Sequence, residues 1–204
     1  MNMKFNCLIA GIGGQGSGFI SRVIGEAALA RGFDVCGSDT SGRPGQGYAA
    51  VSHLRLGQSV NSPLIPKGKA HLIIALDPAE AVRYHSFLSA AGRMLVLDRP
   101  AAGGEDYNSA EMLDFLSTYM SRPSTERYAR KYEGRWFEII DTGSLIEKCG
   151  SSGLLNTALL GVAAEKKFIP LSPEDILAAL TKQLPADALE VNIRAFNAGR
   201  ELAG

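Results

Sequence analysis

The stretch Phe5 to Ala30, FNCLIAGIGGQGSGFISRVIGEAALA, constrains the fold more than any other. Phe5 to Ala10 is an apolar run of strand length, and Gly11 to Gly18 carries five glycines. Phe19, Ile20, Val23, Ile24, Ala27 and Ala28 then recur at helical spacing. The pattern predicts strand, tight turn and helix. Gly11, Gly13 and Gly16 fit G-x-G-x-x-G, which supplies a sharp turn, a backbone without Cβ where a ligand approaches, and close helix-to-sheet packing. Such a loop reads as an anion cradle at a helix N-terminus. A charge beside one helix end gains only about 0.3–1 kcal/mol, whereas micromolar binding needs about 8 kcal/mol. The motif therefore offers a site without naming its ligand. The alternative is that these glycines only let the helix pack on the strand.

A chain of 204 residues buries roughly 70% of its unfolded surface, and a single domain over residues 1–204 is expected. Lys plus Arg equals Asp plus Glu at 21 each, so no global field attracts nucleic acid or an anionic membrane. The N-terminal apolar segment is too short for a signal peptide, and no run approaches a membrane span. A cytoplasmic location is expected. Cys7, Cys36 and Cys149 are too scattered for a disulfide framework or an iron–sulfur ligand series. Cys7 and Cys36 lie in apolar runs and are expected to behave as small core residues. His53, His71 and His85 show no paired spacing, and no metal is expected in this chain.

Phe33 to Ser38 reads as a second strand, reached by a helix long enough to return to a parallel neighbour in a right-handed βαβ unit. Ser38 to Gly47 (SDTSGRPGQG) then leads into the extended Tyr48 to Leu56. Ten residues rich in glycine do not house a crossover helix, so a long loop and a change of strand direction are expected. Asp39, the acidic residue placed to take a ribose, falls in that loop; its other reading is a turn aspartate. Ala70 to Leu76 and Arg93 to Leu97 are continuous apolar runs expected at the centre of the sheet. Asp77, Pro78 and Glu80 write a helix start, with the helix expected to reach about Ala90. Asp77 and Asp98 stand at strand ends, where a carboxylate pair is possible, although Asp77 already has a capping task.

Pro100 to Arg135 is the least legible part. A helix is expected from Ser109 to Met120, followed by a basic stretch with Arg122, Arg127, Arg130, Lys131 and Arg135. That stretch is either a solvated charged face or a docking surface for an acidic partner or a phosphate. Trp136 to Ile140 reads as a late strand. Ser144 to Cys149, Leu154 to Lys167, the segment from Ser172 to Gln183, and Leu189 to Leu202 are helical, with Ser172, Pro173 and Asp175 resembling a capping box. Four helices without an intervening strand predict a C-terminal helical layer against the sheet.

Several separated segments together resemble a known family: GIGGQG at Gly11 to Gly16, VSHLR at Val51 to Arg55, SPLIP at Ser62 to Pro66, ALDPAEAVRY at Ala75 to Tyr84, NTALLG at Asn156 to Gly161 and NIRAFNAG at Asn192 to Gly199. The chain is similar to the gamma-type subunits of 2-oxoacid:ferredoxin oxidoreductases, with the closest likeness on the indolepyruvate branch. The resemblance implies a Rossmann-like α/β fold, a mostly parallel sheet flanked by helices with a C-terminal helical layer. It also implies a large partner subunit holding thiamine diphosphate and the iron–sulfur clusters. In such enzymes a 2-oxoacid is decarboxylated, coenzyme A takes the acyl group and ferredoxin takes the electrons. The shortage of cluster cysteines agrees with that division of labour.

In one place the chain departs from the family. Where a Gln-Arg-Gly-Gly type motif is common, Gly45, Gln46, Gly47 and Tyr48 stand, with Arg43 as the nearby cation. Gly11, Gly13, Gly14, Gln15 and Gly16, with Arg43 and Gln46, are the candidate face toward coenzyme A or the partner's active site; no residue is assigned as acid, base or nucleophile. Two other readings stay open: a self-sufficient NAD(P)-binding dehydrogenase and a nucleotide-binding module without chemistry.

Overall fold

A computed structural model describes residues 4–40, 48–99, 109–120 and 137–204. The opening strand β1 spans Lys4–Ile12 and its following helix α1 spans Ser17–Ala30. Alternate β1 residues feed opposite faces: Cys7 and Ile9 join one apolar cluster, Leu8 and Ala10 the other. That two-sided burial is why the run is continuously apolar. The chain continues through β2 (Asp34–Thr40), β3 (Ala49–Gly57) and β4 (Ala70–Ala75). Helix α2 (Pro78–Tyr84) and a 3-10 turn at His85–Phe87 lead into β5 (Leu88–Asp98). Helix α3 (Ser109–Met120) and strand β6 (Phe137–Asp141) follow. Four helices close the chain: α4 (Thr142–Cys149), α5 (Leu155–Glu165), α6 (Pro173–Gln183) and α7 (Ala186–Ala203).

The six strands lie in the order β2-β3-β1-β4-β5-β6. β1, β4, β5 and β6 pair in parallel, whereas β3 is antiparallel to both β1 and β2. The expected change of direction after β2 is therefore present. The expected parallel neighbour is not: β3 stands between β1 and β2, so α1 carries the chain across an intervening strand. The return connection from β2 has no room for a crossover helix, which leaves an antiparallel hairpin-like pairing as the accessible solution. Asp39 is also relocated. It lies inside β2, one residue from its carboxyl end, not in a loop.

Helix α2 stops at Tyr84, short of the expected Ala90, because Leu88–Gly92 extend β5 backward beside β4. Gly92 makes that approach feasible, since a Cβ there would stand 2.7 Å from the Ala70 carbonyl oxygen. Cys7 is fully buried as expected, whereas Cys36 on edge strand β2 is only half-buried. Helix α3 matches its expected span. The basic stretch after it, together with Arg43 and Gln46, lies outside the described residues.

One sheet face carries α1 and the C-terminal helices α4–α7 around Ile24, Leu72, Leu159, Leu180 and Phe196. The opposite face carries α2 and α3 around Leu8, Ile73, Met94 and Leu116. Ser172 caps α6 through a reciprocal box with Asp175: its hydroxyl accepts from the Asp175 amide, while the Asp175 carboxylate accepts from the Ser172 amide. Helices α5 and α7 cross at Gly161 and Gly199. A Cβ on Gly161 would overlap the Phe196 carbonyl, and one on Gly199 would overlap the Ala158 carbonyl. Beside this crossing the Thr157 hydroxyl donates to Asn192 Oδ1 at 2.6 Å, and Asn192 Nδ2 donates to the Ala188 carbonyl. No helix among the described residues is long and apolar enough to cross a membrane.

Candidate functional site

From β1 the chain turns through α1 toward β2, and from β4 it turns the other way through α2 toward β5. The carboxyl ends of β1 and β4 consequently flank a topological switch point, where open α/β sheets leave a crevice for ligands. The residues there are the glycine turn after β1 and Asp77 after β4. The Leu76 amide donates to the Ala10 carbonyl at 2.8 Å and holds the two ends together.

The turn has a defined shape. Gly14 and Gly16 take left-handed φ values of 94° and 90°, which a side chain resists. Gly14 is exposed, Gly13, Gln15 and Gly16 are half-buried, and Gly11 is buried. The Gln15 amide donates to the Ile12 carbonyl at 2.9 Å, and Gln15 Oε1 accepts from the Ile12 amide at 2.8 Å. Gln15 thus closes the turn on itself. On the outer side the Gly13 amide donates to the Tyr48 carbonyl at 2.9 Å, and the Tyr48 side chain stands 61% exposed beside the turn. On the inner side Asn156, in the first turn of α5, donates from Nδ2 to the Gln15 carbonyl at 2.8 Å. A Cβ on Gly16 would run into that same Nδ2. Gly16 is glycine for two reasons, its backbone angle and its neighbour.

These contacts occupy part of the turn. Two amides of the turn, those of Gly13 and Gln15, are already committed to carbonyls. Asp39 Oδ2 would lie 3.7 Å from a Cβ built on Gly18, so a carboxylate stands at the start of α1 with Arg22 on the same side. The described part of the turn presents its backbone for close approach, with two of its amides already engaged.

Across the crevice Asp77 is fully buried and caps α2, its Oδ1 accepting from the Ala79 amide at 2.9 Å. Glu80 does not complete a capping box. It is 2% exposed and meets Arg83 at 3.3 Å. Burial pushes the Glu80 carboxyl above the ordinary range, Arg83 opposes that shift, and Asp77 adds to it. Burial lowers the Arg99 guanidinium, and Asp77 works the other way. Asp98, the other member of the possible carboxylate pair, is exposed at the end of β5, while Asp77 is spent on its cap. Asp141 at the end of β6 caps α4. Its carboxyl is held low by hydrogen bonds from the Ser144 amide and hydroxyl and the Gly143 amide.

Among the described residues six buried polar side-chain atoms have no hydrogen-bond partner: Gln15 Nε2, Asn156 Oδ1, Asp77 Oδ2, Glu80 Oε2 and Thr142 Oγ1 at this edge, and Ser52 Oγ within β3. A buried polar atom left without any partner, water included, costs about 1–3 kcal/mol. Of the seven candidate site residues, the structure brings together Gly11, Gly13, Gly14, Gln15 and Gly16; Arg43 and Gln46 lie outside the described residues. Asn156 and Tyr48 are the residues that motif reasoning missed. Asn156 is 141 positions from the turn, and its only sequence signal is its place at the head of the NTALLG segment.

The opposite end of the molecule differs. A groove of about 600 Å³ lies where α1 and α5 end, lined by Arg31, Phe33, Lys167, Ile169, Leu171 and Arg200 among others. Its charges largely pair internally, Arg200 with Glu165 at 2.7 Å and Arg31 with Asp175 at 3.9 Å.

Residues 6–202 match the family model described as pyruvate ferredoxin/flavodoxin oxidoreductase. The chain is 28% identical to the indolepyruvate oxidoreductase subunit IorB of Thermococcus kodakarensis, over 98% of this chain and 96% of that relative. Its match to the IorB subunit of Pyrococcus horikoshii has the same identity and coverage. Among solved structures, the gamma subunit of a keto/oxoacid ferredoxin oxidoreductase from Geobacter sulfurreducens superposes with a TM-score of 0.68. It is 19% identical, and the match covers 98% of this chain and 97% of that one. A 2-oxoglutarate:ferredoxin oxidoreductase from Magnetococcus marinus, solved with 2-oxoglutarate, coenzyme A and succinyl-CoA, matches at TM-score 0.68 and 18% identity, over 98% of this chain and 31% of that one. The two likenesses carry the fold, and the end-to-end family match carries the membership: this chain belongs to the pyruvate ferredoxin/flavodoxin oxidoreductase family.

Proposed function

We propose that the chain is the small subunit of an indolepyruvate-type 2-oxoacid:ferredoxin oxidoreductase. The enzyme decarboxylates a 2-oxoacid oxidatively to an acyl-CoA and passes the electrons to ferredoxin. Thiamine diphosphate and the iron–sulfur clusters are carried by a large partner subunit, and the chain is inactive alone. The observation that carries this reading is the match along the whole length, residues 6–202 to the family and 98% of the chain to IorB subunits. The crevice supports it. Among the described residues Gln15 and Asn156 touch the turn and position its backbone, and neither is a nucleophile.

Within that enzyme the face formed by Gly11, Gly13, Gly14, Gln15 and Gly16, extended by Arg43 and Gln46, closes over the partner subunit near its reaction centre. Exposed Gly14 and the exposed Tyr48 ring are the parts of the described surface that such a partner covers. Any contact with coenzyme A falls on this same face, on the turn amides that Ile12 and Tyr48 do not engage or on the Arg43 segment.

The test is co-expression with the large subunit. Indolepyruvate-dependent ferredoxin reduction is expected to need both chains; unchanged activity without this one contradicts the proposal. One observation favours a second reading. Asp39 at the end of β2 stands near Gly18, the place of a ribose-binding carboxylate in dinucleotide folds. Against it stand the antiparallel β3 and the committed turn amides. Calorimetric titration of the isolated chain with NADH decides between them: micromolar binding supports a self-sufficient dehydrogenase, and no heat of binding supports the subunit.

A further inference from the structure

We infer that Asn156 is a positioning residue for the glycine turn, the point at which the C-terminal helical layer sets the shape of the face presented at the switch point. This rests on the reading that the turn belongs to a working surface. Asn156 Nδ2 donates to the Gln15 carbonyl at 2.8 Å, across 141 residues of sequence. The same nitrogen occupies the space a Gly16 side chain would need. Gln15 is thereby held at three points: its amide and its Oε1 by Ile12, and its carbonyl by Asn156. A turn fixed so completely does not adapt its backbone on contact; it presents one shape.

Asn156 is itself fixed from behind. It heads α5, whose next residue Thr157 is hydrogen-bonded to Asn192 at 2.6 Å inside the layer. Within the next turn and a half, α5 is locked to α7 where Gly199 meets Ala158 and Gly161 meets Phe196, backbone against backbone. The segments Asn156–Gly161 and Asn192–Gly199 are thus one device whose end bears on the turn. The hydrogen bonds also fix the orientation of both amides. Asn156 must point its nitrogen at a carbonyl, and Gln15 its oxygen at an amide, which leaves Asn156 Oδ1 and Gln15 Nε2 buried without partners. An apolar side chain of similar size would fill the same space without an orphaned acceptor. The orphan is explained if the donor on the other arm is what the position supplies.

Two substitutions test this: Asn156→Ala, which removes the donor and the volume, and Asn156→Asp, which keeps the volume and removes the donor. Hydrogen exchange on the isolated full chain should rise at least tenfold for peptides covering residues 11–18 in both variants, with exchange in α5 and α7 unchanged. In the complex with the large subunit, subunit stoichiometry should hold while kcat/KM for indolepyruvate falls at least fivefold. Wild-type exchange at the turn in Asn156→Asp would overturn the proposal, as would a rise spread evenly through α5 and α7 with a lower melting temperature. Should Asn156→Ala fail to fold, Asn156→Asp carries the same reading. The exchange arm needs no partner, so the inference can fail while the subunit assignment stands, and the reverse.

Discussion

The α5–α7 crossing and the glycine turn are built from the same residue type for different reasons. At the crossing, Gly161 and Gly199 sit inside regular helix and are needed because a neighbouring backbone occupies the position of their Cβ. At the turn, Gly14 and Gly16 are needed first for left-handed backbone angles, and Gly16 also for the Asn156 side chain. The polar groups differ in parallel. Beside the crossing, Thr157 and Asn192 satisfy each other and the Ala188 carbonyl. Around the turn and its neighbouring strand ends, five buried polar atoms have no partner among the described residues. One region is finished by its own packing, whereas the other holds groups that stability alone would not select.

The sharpest way to break this contrast is at the crossing. Gly199→Ala and Gly161→Ala each force a methyl onto a carbonyl held by a rigid helix, with an expected loss of about 3 kcal/mol. Thermal unfolding should show a drop of roughly 10 °C; a drop under 2 °C means the helices part without cost. Gly16→Ala is the matching change at the turn. The left-handed backbone costs about 1–2 kcal/mol, and because Asn156 must move as well, activity in the complex should fall further than stability does. Equal, proportionate losses in both would make the turn another packing site.

Smaller effects come from the buried acid. Glu80 has its carboxyl raised by burial, so the folded state holds a proton there more tightly than the unfolded chain. That favours the fold at low pH, and the advantage is lost as pH rises from the unfolded value through the folded one. Glu80→Gln should therefore flatten the decline of stability above about pH 4.5, read by urea unfolding between pH 4 and 8. Identical pH profiles would show that Arg83 already offsets the burial. The smallest effect belongs to His53, whose ring is lowered by burial while Nδ1 accepts from the Ile65 amide at 3.1 Å. The unfolded ring takes up a proton more readily, so this contribution is present at neutral pH and fades as pH falls below about 6.5. Exchange of the Ile65 amide should rise between pH 7 and 5 after correction for intrinsic rates, and a flat profile would contradict it.

Local grammar was legible in the sequence wherever one segment determines its own structure. The strand–turn–helix at the N-terminus, the Asp77 cap and the Ser172 box are written within a few residues of each other, and each forms as read. The change of direction into β3 was legible from a connection too short for a crossover helix. The position of β3 between β1 and β2 was not, because strand order depends on long-range pairing that periodicity does not encode. The end of α2 was not legible for a related reason: Leu88–Gly92 gain more by pairing beside β4 than by continuing a helix. At the site, the glycines announced a turn, yet its occupied amides and its Asn156 wall come from residues far away in the chain. That is why the motif alone announces a glycine turn and not the contacts that brace it.

The central claim is that the glycine turn is the working face and the helical layer is its support. It is tested most directly by hydrogen exchange of this chain alone and in complex with the large subunit. The account predicts new protection at residues 11–18 and around Tyr48 on assembly, with α5, α7 and the groove near Lys167 unchanged. Protection confined to that groove and the helical layer, with the turn as exposed in the complex as in the isolated chain, would contradict it.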